Sequence, residues 1–128
     1  MILEKNPNIQ VRKSILHGLG VFATNDIPRN TLLEECHGAI LSKEEFDTVK
    51  EIPAIACNTF SVSKTEIILP YGYGAIYNSK KNANVKSIYN VDRKILSFYT
   101  TKDIKMHEEL FLDYEMARKF YKNKNIQL

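Results

Sequence analysis

The chain has 128 residues, of which 44% are hydrophobic and 26% charged, a composition that suits one globular domain with a real core. Its net charge of +3 is dispersed along the sequence and is too weak to argue for nucleic acid binding by itself. No stretch approaches the roughly 18 uncharged apolar residues of a membrane span, and Met1-Ile2-Leu3-Glu4-Lys5-Asn6 has no signal-peptide pattern, so a soluble, intracellular protein without membrane attachment is expected.

Ile9 to Lys13 alternates apolar and polar residues and reads as a strand. A loop, Ser14-Ile15-Leu16-His17-Gly18-Leu19-Gly20, leads to a second strand, Val21-Phe22-Ala23. Its Gly-x-Gly is not a dinucleotide fingerprint, since no third glycine and no helix follow. It reads either as a plain hairpin loop or as a place where backbone meets a ligand directly. Asn25 to Asn30 is turn chemistry around Pro28. A strand is expected from Leu32 to Ile40. Ser42-Lys43-Glu44-Glu45 fits a capping box opening a short helix to about Lys50, and Pro53 closes that segment.

Phe60 to Val62 and Ile67 to Leu69 read as short strands. Val85 to Tyr89 and Ile95 to Thr100 form the clearest hairpin, closed by Asn90-Val91-Asp92-Arg93. Glu109 to Asp113 is a last strand, and Glu115 to Lys122 a terminal helix with Met116, Phe120 and Tyr121 available for packing. The locally basic end, Arg118, Lys119, Lys122 and Lys124, suits a solvated helix C-terminus. Eight or so strands and two short helices make a mainly β domain.

Cys36 and Cys57 stand alone, and His17, His37 and His107 are scattered. No metal site is predicted. Glu34, Glu35 and Asp47 read as ordinary surface charges, with contact to a basic peptide as the alternative. The stretch from Tyr71 to Asn84, Tyr-Gly-Tyr-Gly-Ala-Ile-Tyr-Asn-Ser-Lys-Lys-Asn-Ala-Asn, is the least ordinary. Gly72 and Gly74 permit positive φ or close backbone approach, with Tyr71, Tyr73 and Tyr77 around them. By itself it reads as a tight turn with a half-buried tyrosine face.

Three pieces in fixed order change that reading: Gly18-Leu19-Gly20-Val21-Phe22-Ala23, Gly72-Tyr73-Gly74-Ala75-Ile76-Tyr77-Asn78, and Glu108-Glu109-Leu110-Phe111-Leu112-Asp113-Tyr114. Together they resemble the SET-domain protein lysine methyltransferases, over about Ile9 to Tyr121, and most nearly the compact viral and bacterial members. The resemblance implies a single SET domain over residues 1–128 with no zinc-binding segment flanking it. It also implies a fold of small curved β-sheets, β-clip-like, with few short helices and a C-terminal pseudoknot that brings Asn78 beside Tyr114. S-adenosyl-L-methionine would enter one face and a substrate lysine the other, joined by a narrow channel.

In that frame Tyr114 matches the catalytic tyrosine. Gly18, Leu19, Gly20, Asn78 and Ser79 match the cofactor-binding positions, with Phe120 or Tyr121 covering the adenine. Tyr71, Tyr73, Tyr77 and Leu112 line the substrate channel. A free lysine has a pKa of about 10.4, and a desolvated channel favours its neutral, nucleophilic form. Tyr114 would orient that amine rather than act as a conventional base. Backbone carbonyls around Tyr71 to Tyr77 would accept weak C–H bonds from the methyl group, and tyrosine faces would hold a methylated cation.

Several positions depart from the family pattern. Ser79 stands where a histidine is usual, so weaker cofactor binding is expected. Ala83 replaces a proline, Leu19 an aromatic or basic residue, and His107 a glycine. The Cys57-Asn58-Thr59-Phe60 segment lacks a channel tyrosine, and Leu112 favours more than one methylation. The resemblance implies an active lysine methyltransferase acting on a protein with an exposed lysine, such as a histone tail. The alternative is an impaired SET domain that binds a lysine peptide or a protein partner. A homodimer is plausible, in the cytoplasm or, for a viral or secreted protein, a host nucleus.

Overall fold

A computed structural model describes residues 6–15 and 18–114. The terminal helix expected from Glu115 to Lys122 lies outside them, as do Phe120 and Tyr121. Among the described residues there are ten strands and two short helices. β1 (Ile9–Lys13) and β2 (Leu19–Ala23) pair antiparallel, with Ile9 opposite Ala23 and Lys13 opposite Leu19. The second strand therefore starts two residues earlier than expected, inside the Gly-x-Gly.

The strand expected from Leu32 to Ile40 is two strands in two sheets. β3 (Leu32–Cys36) pairs with β9 (Ile95–Thr100), whereas β4 (Gly38–Ser42) pairs with β6 (Glu66–Pro70). Gly38 permits the change of sheet, because a Cβ there would stand 2.4 Å from the Leu69 carbonyl oxygen. Ser42 caps α1 (Lys43–Val49) with the reciprocal bonds of a capping box. Pro53 does not end a segment; it sits in the first turn of α2 (Pro53–Ala56), where its missing N–H removes nothing. β5 (Phe60–Ser61) completes the smaller sheet, in the order β4-β6-β5.

The larger sheet runs β1-β2-β10-β8-β9-β3, with β7 (Asn78–Ser79) also on β10 (Glu109–Leu112). β8 (Val85–Asn90) and β9 make the expected hairpin, whose turn ends at Lys94 with φ 55°. β9 reads Ile-Leu-Ser-Phe-Tyr-Thr and is buried at every residue but Tyr99, which explains its unbroken apolar start. The core joins Val21, Ala23, Leu33, Ile68, Tyr77, Leu96, Phe98, Leu110 and Leu112. Each fully buried Val, Leu, Ile or Phe among them stabilises the fold by about 1.5–3 kcal/mol.

The curl of these sheets and the late insertion of β10 form the pseudoknot. β10 lies antiparallel to β2, with Leu110 opposite Val21, and parallel to β7 and β8, with Leu112 opposite Ser79 and Val85. A strand near the end of the chain thus lies between segments formed much earlier.

Candidate active site

The sequence just before and just after the knot makes the site. Asn84 grips β10 from the side: its Nδ2 donates to the Glu109 carbonyl at 3.0 Å and its Oδ1 accepts from the Phe111 N–H at 2.7 Å. The Lys80 N–H donates to the Leu112 carbonyl at 2.9 Å. The segment from residue 78 to residue 84 is thereby stitched along β10, and the chain leaving β10 arrives at once at Tyr114.

Three consecutive residues receive that arrival. The Tyr114 N–H donates to Ser79 Oγ at 3.2 Å. The Tyr114 hydroxyl donates to the Tyr77 carbonyl. Asn78 lies between them and bonds elsewhere, its Nδ2 donating to the Leu19 carbonyl at 2.8 Å and to Glu109 Oε2 at 2.7 Å. Glu109 Oε1 accepts from Ser14 Oγ at 2.8 Å. Asn78 thus ties the knot to the Gly-x-Gly segment.

Gly20 is required for that tie. A Cβ at Gly20 would stand 2.3 Å from Glu109 Oε2 and 3.1 Å from Asn78 Nδ2, whereas one at Gly18 would meet nothing within 4 Å. Leu19 between them is 55% exposed.

Phe60 packs against Tyr114, with ring centroids 6.1 Å apart and an interplanar angle of 79°. It meets Phe98 in a second edge contact at 6.1 Å, and Phe98 meets Tyr77 at 4.9 Å. Such pairs add about 0.5–1.5 kcal/mol beyond burial. Asn58, which stands in the segment without a channel tyrosine, bonds locally instead, Nδ2 donating to the Ala54 carbonyl at 2.8 Å. Phe60 was not among the expected site residues; its place two residues after Asn58 is the only signal the sequence carries.

The tyrosines of the glycine-rich stretch have different surroundings. Tyr71 is 57% exposed, Tyr73 is half-buried, and Tyr77 is 1% exposed. Leu112, also expected along the channel, is likewise 1% exposed. Gly72 takes φ +79° and Gly74 packs on the Pro70 ring, so both glycines answer steric needs of this turn.

Under the turn lies Glu34, which is not a surface charge. Its Oε1 accepts from the Tyr77 hydroxyl at 2.9 Å and its Oε2 from the Tyr73 N–H at 3.4 Å. Burial raises the Glu34 carboxyl above its ordinary value, against the lowering effect of the bonds from Tyr77, Tyr73 and Cys36. Burial first, and Glu34 second, push the Cys36 thiol up to about 12 and the Tyr77 phenol well above its usual value. Both remain neutral donors. Glu35 and Asp47 are surface charges, near Arg93 at 3.9 Å and Lys50 at 3.4 Å.

Among the described residues, no three His, Cys, Asp or Glu side chains converge in a metal-binding group. No helix among them is long and apolar enough to cross a membrane.

A curled, mainly β domain whose last strand is knotted between earlier ones, and delivers a tyrosine to an Asn-bearing turn, defines the SET methyltransferase class of fold. The chain belongs to the SET domain family, whose profile matches residues 18–115. It is similar to the Schizosaccharomyces pombe histone-lysine N-methyltransferase specific for H3 lysine-37, with 29% identity over 106 residues, spanning 83% of this chain and 72% of that protein. It is also similar to the crystal structure of a Plasmodium falciparum protein designated a histone methyltransferase, with a TM-score of 0.70 and 25% identity, over 84% of this chain and 92% of the other.

Proposed function

We propose that this protein transfers a methyl group from S-adenosyl-L-methionine to the side-chain amine of a protein lysine, with a histone tail as the first substrate to test. The observation that carries the reading is the Tyr114 hydroxyl on the Tyr77 carbonyl, one residue from the bond of Asn78 to the Gly-x-Gly segment. The histone substrate is suggested by the two relatives, which are both histone methyltransferases by designation.

The residues present fit such a cofactor. Both Asn78 amide hydrogens face Leu19 and Glu109, which leaves Oδ1 as an acceptor, and the Gly18 backbone is open on the side where a Cβ would stand. Gly18, Leu19, Gly20, Asn78 and Ser79 would hold the group. Bound there, S-adenosyl-L-methionine supplies an electrophilic methyl carbon on a sulfonium. Tyr114 and the Tyr77 carbonyl orient the incoming amine, and Phe60, backed by Phe98, covers an edge of the Tyr114 ring. Exclusion of water favours the neutral amine. Alignment of donor and acceptor supplies the rest of the rate.

Calorimetric titration with S-adenosyl-L-methionine, followed by a labelled-methyl assay on mixed histones, tests the proposal. Micromolar binding and label on lysine, lost in Tyr114→Phe, is the expected result. Folded protein that neither binds the cofactor nor labels any histone would sink the enzymatic reading.

A further inference from the structure

The side-chain amide of Asn78 has its donors committed beside the Gly18-to-Gly20 segment and its acceptor open. A side-chain amide has two hydrogens, and both are engaged: one reaches the Leu19 carbonyl at 2.8 Å, the other Glu109 Oε2 at 2.7 Å. A carbonyl and a carboxylate are acceptors only, so the nitrogen end of the amide is fixed by its partners. Among the described residues no donor reaches Asn78 Oδ1.

Leu19 alone would leave the second amide hydrogen without a partner, and the amide free to turn. Glu109 completes the pair, and is itself held twice. Ser14 Oγ donates to its Oε1 at 2.8 Å, and Asn84 Nδ2 donates to its backbone carbonyl at 3.0 Å. Space for its carboxylate exists because residue 20 has no side chain, a Cβ there lying 2.3 Å from Oε2.

We propose that Glu109, seated by Ser14, is a positioning residue of the cofactor site. It locks Asn78 with Oδ1 as the end left to accept, and so selects the α-ammonium of the cofactor's amino acid portion over its carboxylate. The adenine amine and the two ribose hydroxyls are the other donors on S-adenosyl-L-methionine, but they are uncharged. A charged donor makes the stronger hydrogen bond to Oδ1, so the ammonium is favoured. This inference rests on the reading of the site given above.

The test uses two ligands, S-adenosylhomocysteine and its analogue lacking the α-amino group, titrated by calorimetry into the wild-type, Glu109→Ala, Glu109→Gln and Ser14→Ala proteins, each also melted without ligand. Wild-type protein is expected to favour the amino ligand by about tenfold or more, and Glu109→Ala to lose about tenfold for that ligand while binding the desamino analogue nearly unchanged. In Glu109→Gln the amide oxygen still accepts from Asn78 and the amide nitrogen still reaches Ser14, so affinity stays within about threefold. Ser14→Ala loses about threefold, again only for the amino ligand.

Equal weakening of both ligands in Glu109→Ala, or no weakening, overturns the inference. Should Glu109→Ala not fold, Ser14→Ala decides by the same criterion, since it leaves β10 intact. Wild-type protein that binds neither ligand overturns the cofactor reading itself, and this inference with it.

Discussion

The Tyr114 hydroxyl donates to the backbone carbonyl of Tyr77, across 37 residues of sequence. Tyr114 is fixed at its other end by Ser79 and along its ring by Phe60. Tyr77 is fixed by its own hydroxyl on Glu34. Neither partner of the central bond depends on the other for its place.

Tyr114→Phe therefore separates chemistry from structure. The ring keeps its edge contact with Phe60 and only the hydroxyl is lost, so the midpoint of thermal unfolding should change by no more than a hydrogen bond of about 1 kcal/mol explains. Turnover should fall by about 10²–10³, the usual effect of removing one preorganised polar group from a reacting centre. Cofactor affinity should hold. Full turnover in folded Tyr114→Phe would exclude the phenol from the reaction.

Asn84→Ala tests the knot. Both ends of that side chain bond the backbone of β10, at 3.0 Å to Glu109 and 2.7 Å from Phe111. Two partly buried bonds lost together, with two backbone groups left to find water, amount to about 2–3 kcal/mol. Urea unfolding should show a lower midpoint with an unchanged slope. A midpoint matching the wild type would mean that the strand ladders alone hold β10.

Much of the fold was legible because its signals are local. The β8–β9 hairpin, the capping box at Ser42 and the Gly-x-Gly hairpin each need only a few adjacent residues. The departures come from distant contacts. Nothing near Gly38 announces that the Leu69 carbonyl will press on it. Glu34 and Glu35 look alike in sequence, and strand alternation puts only one of them inward; the bulge between Leu32 and Glu34 helps decide which. Glu34 meets Tyr77 over 43 residues and Ser14 meets Glu109 over 95. Motif recognition singled out Tyr114 and Asn78, which the fold brings close together, but not Phe60 and Glu109 as their neighbours from other strands, nor Glu34 as the partner of Tyr77.

Glu34 gives the protein a pH dependence of definite sign. Its folded value is raised, chiefly by burial, from the ordinary 4.5. The folded state therefore binds the proton more tightly than the unfolded state. The stability linked to that proton is fully present below the ordinary value and is lost as pH rises through the raised one. Glu34→Gln keeps an acceptor for the Tyr77 hydroxyl and cannot ionise. Melting both proteins from pH 4 to pH 8 should show the variant gaining on the wild type as pH rises from about 4.5, then a plateau. A constant difference across that range would mean that Glu34 titrates alike in both states.

Ser79 is where the sequence suggested weaker cofactor binding, and its hydrogen bond points to a different consequence. Its hydroxyl accepts from the Tyr114 N–H at 3.2 Å, while the tie to the Gly-x-Gly segment is made by its neighbour Asn78. Ser79→Ala should thus reach turnover through the placement of Tyr114. Because Ser79 is exposed, water partly replaces the lost acceptor, and the effect is about 0.5–1 kcal/mol, a two- to fivefold fall in kcat. The KM for S-adenosyl-L-methionine should stay within about twofold, since Ser79 would hold the cofactor through its backbone, which alanine keeps. The opposite split, an unchanged kcat with a raised cofactor KM, would assign the Ser79 hydroxyl to the cofactor and take it out of the placement of Tyr114.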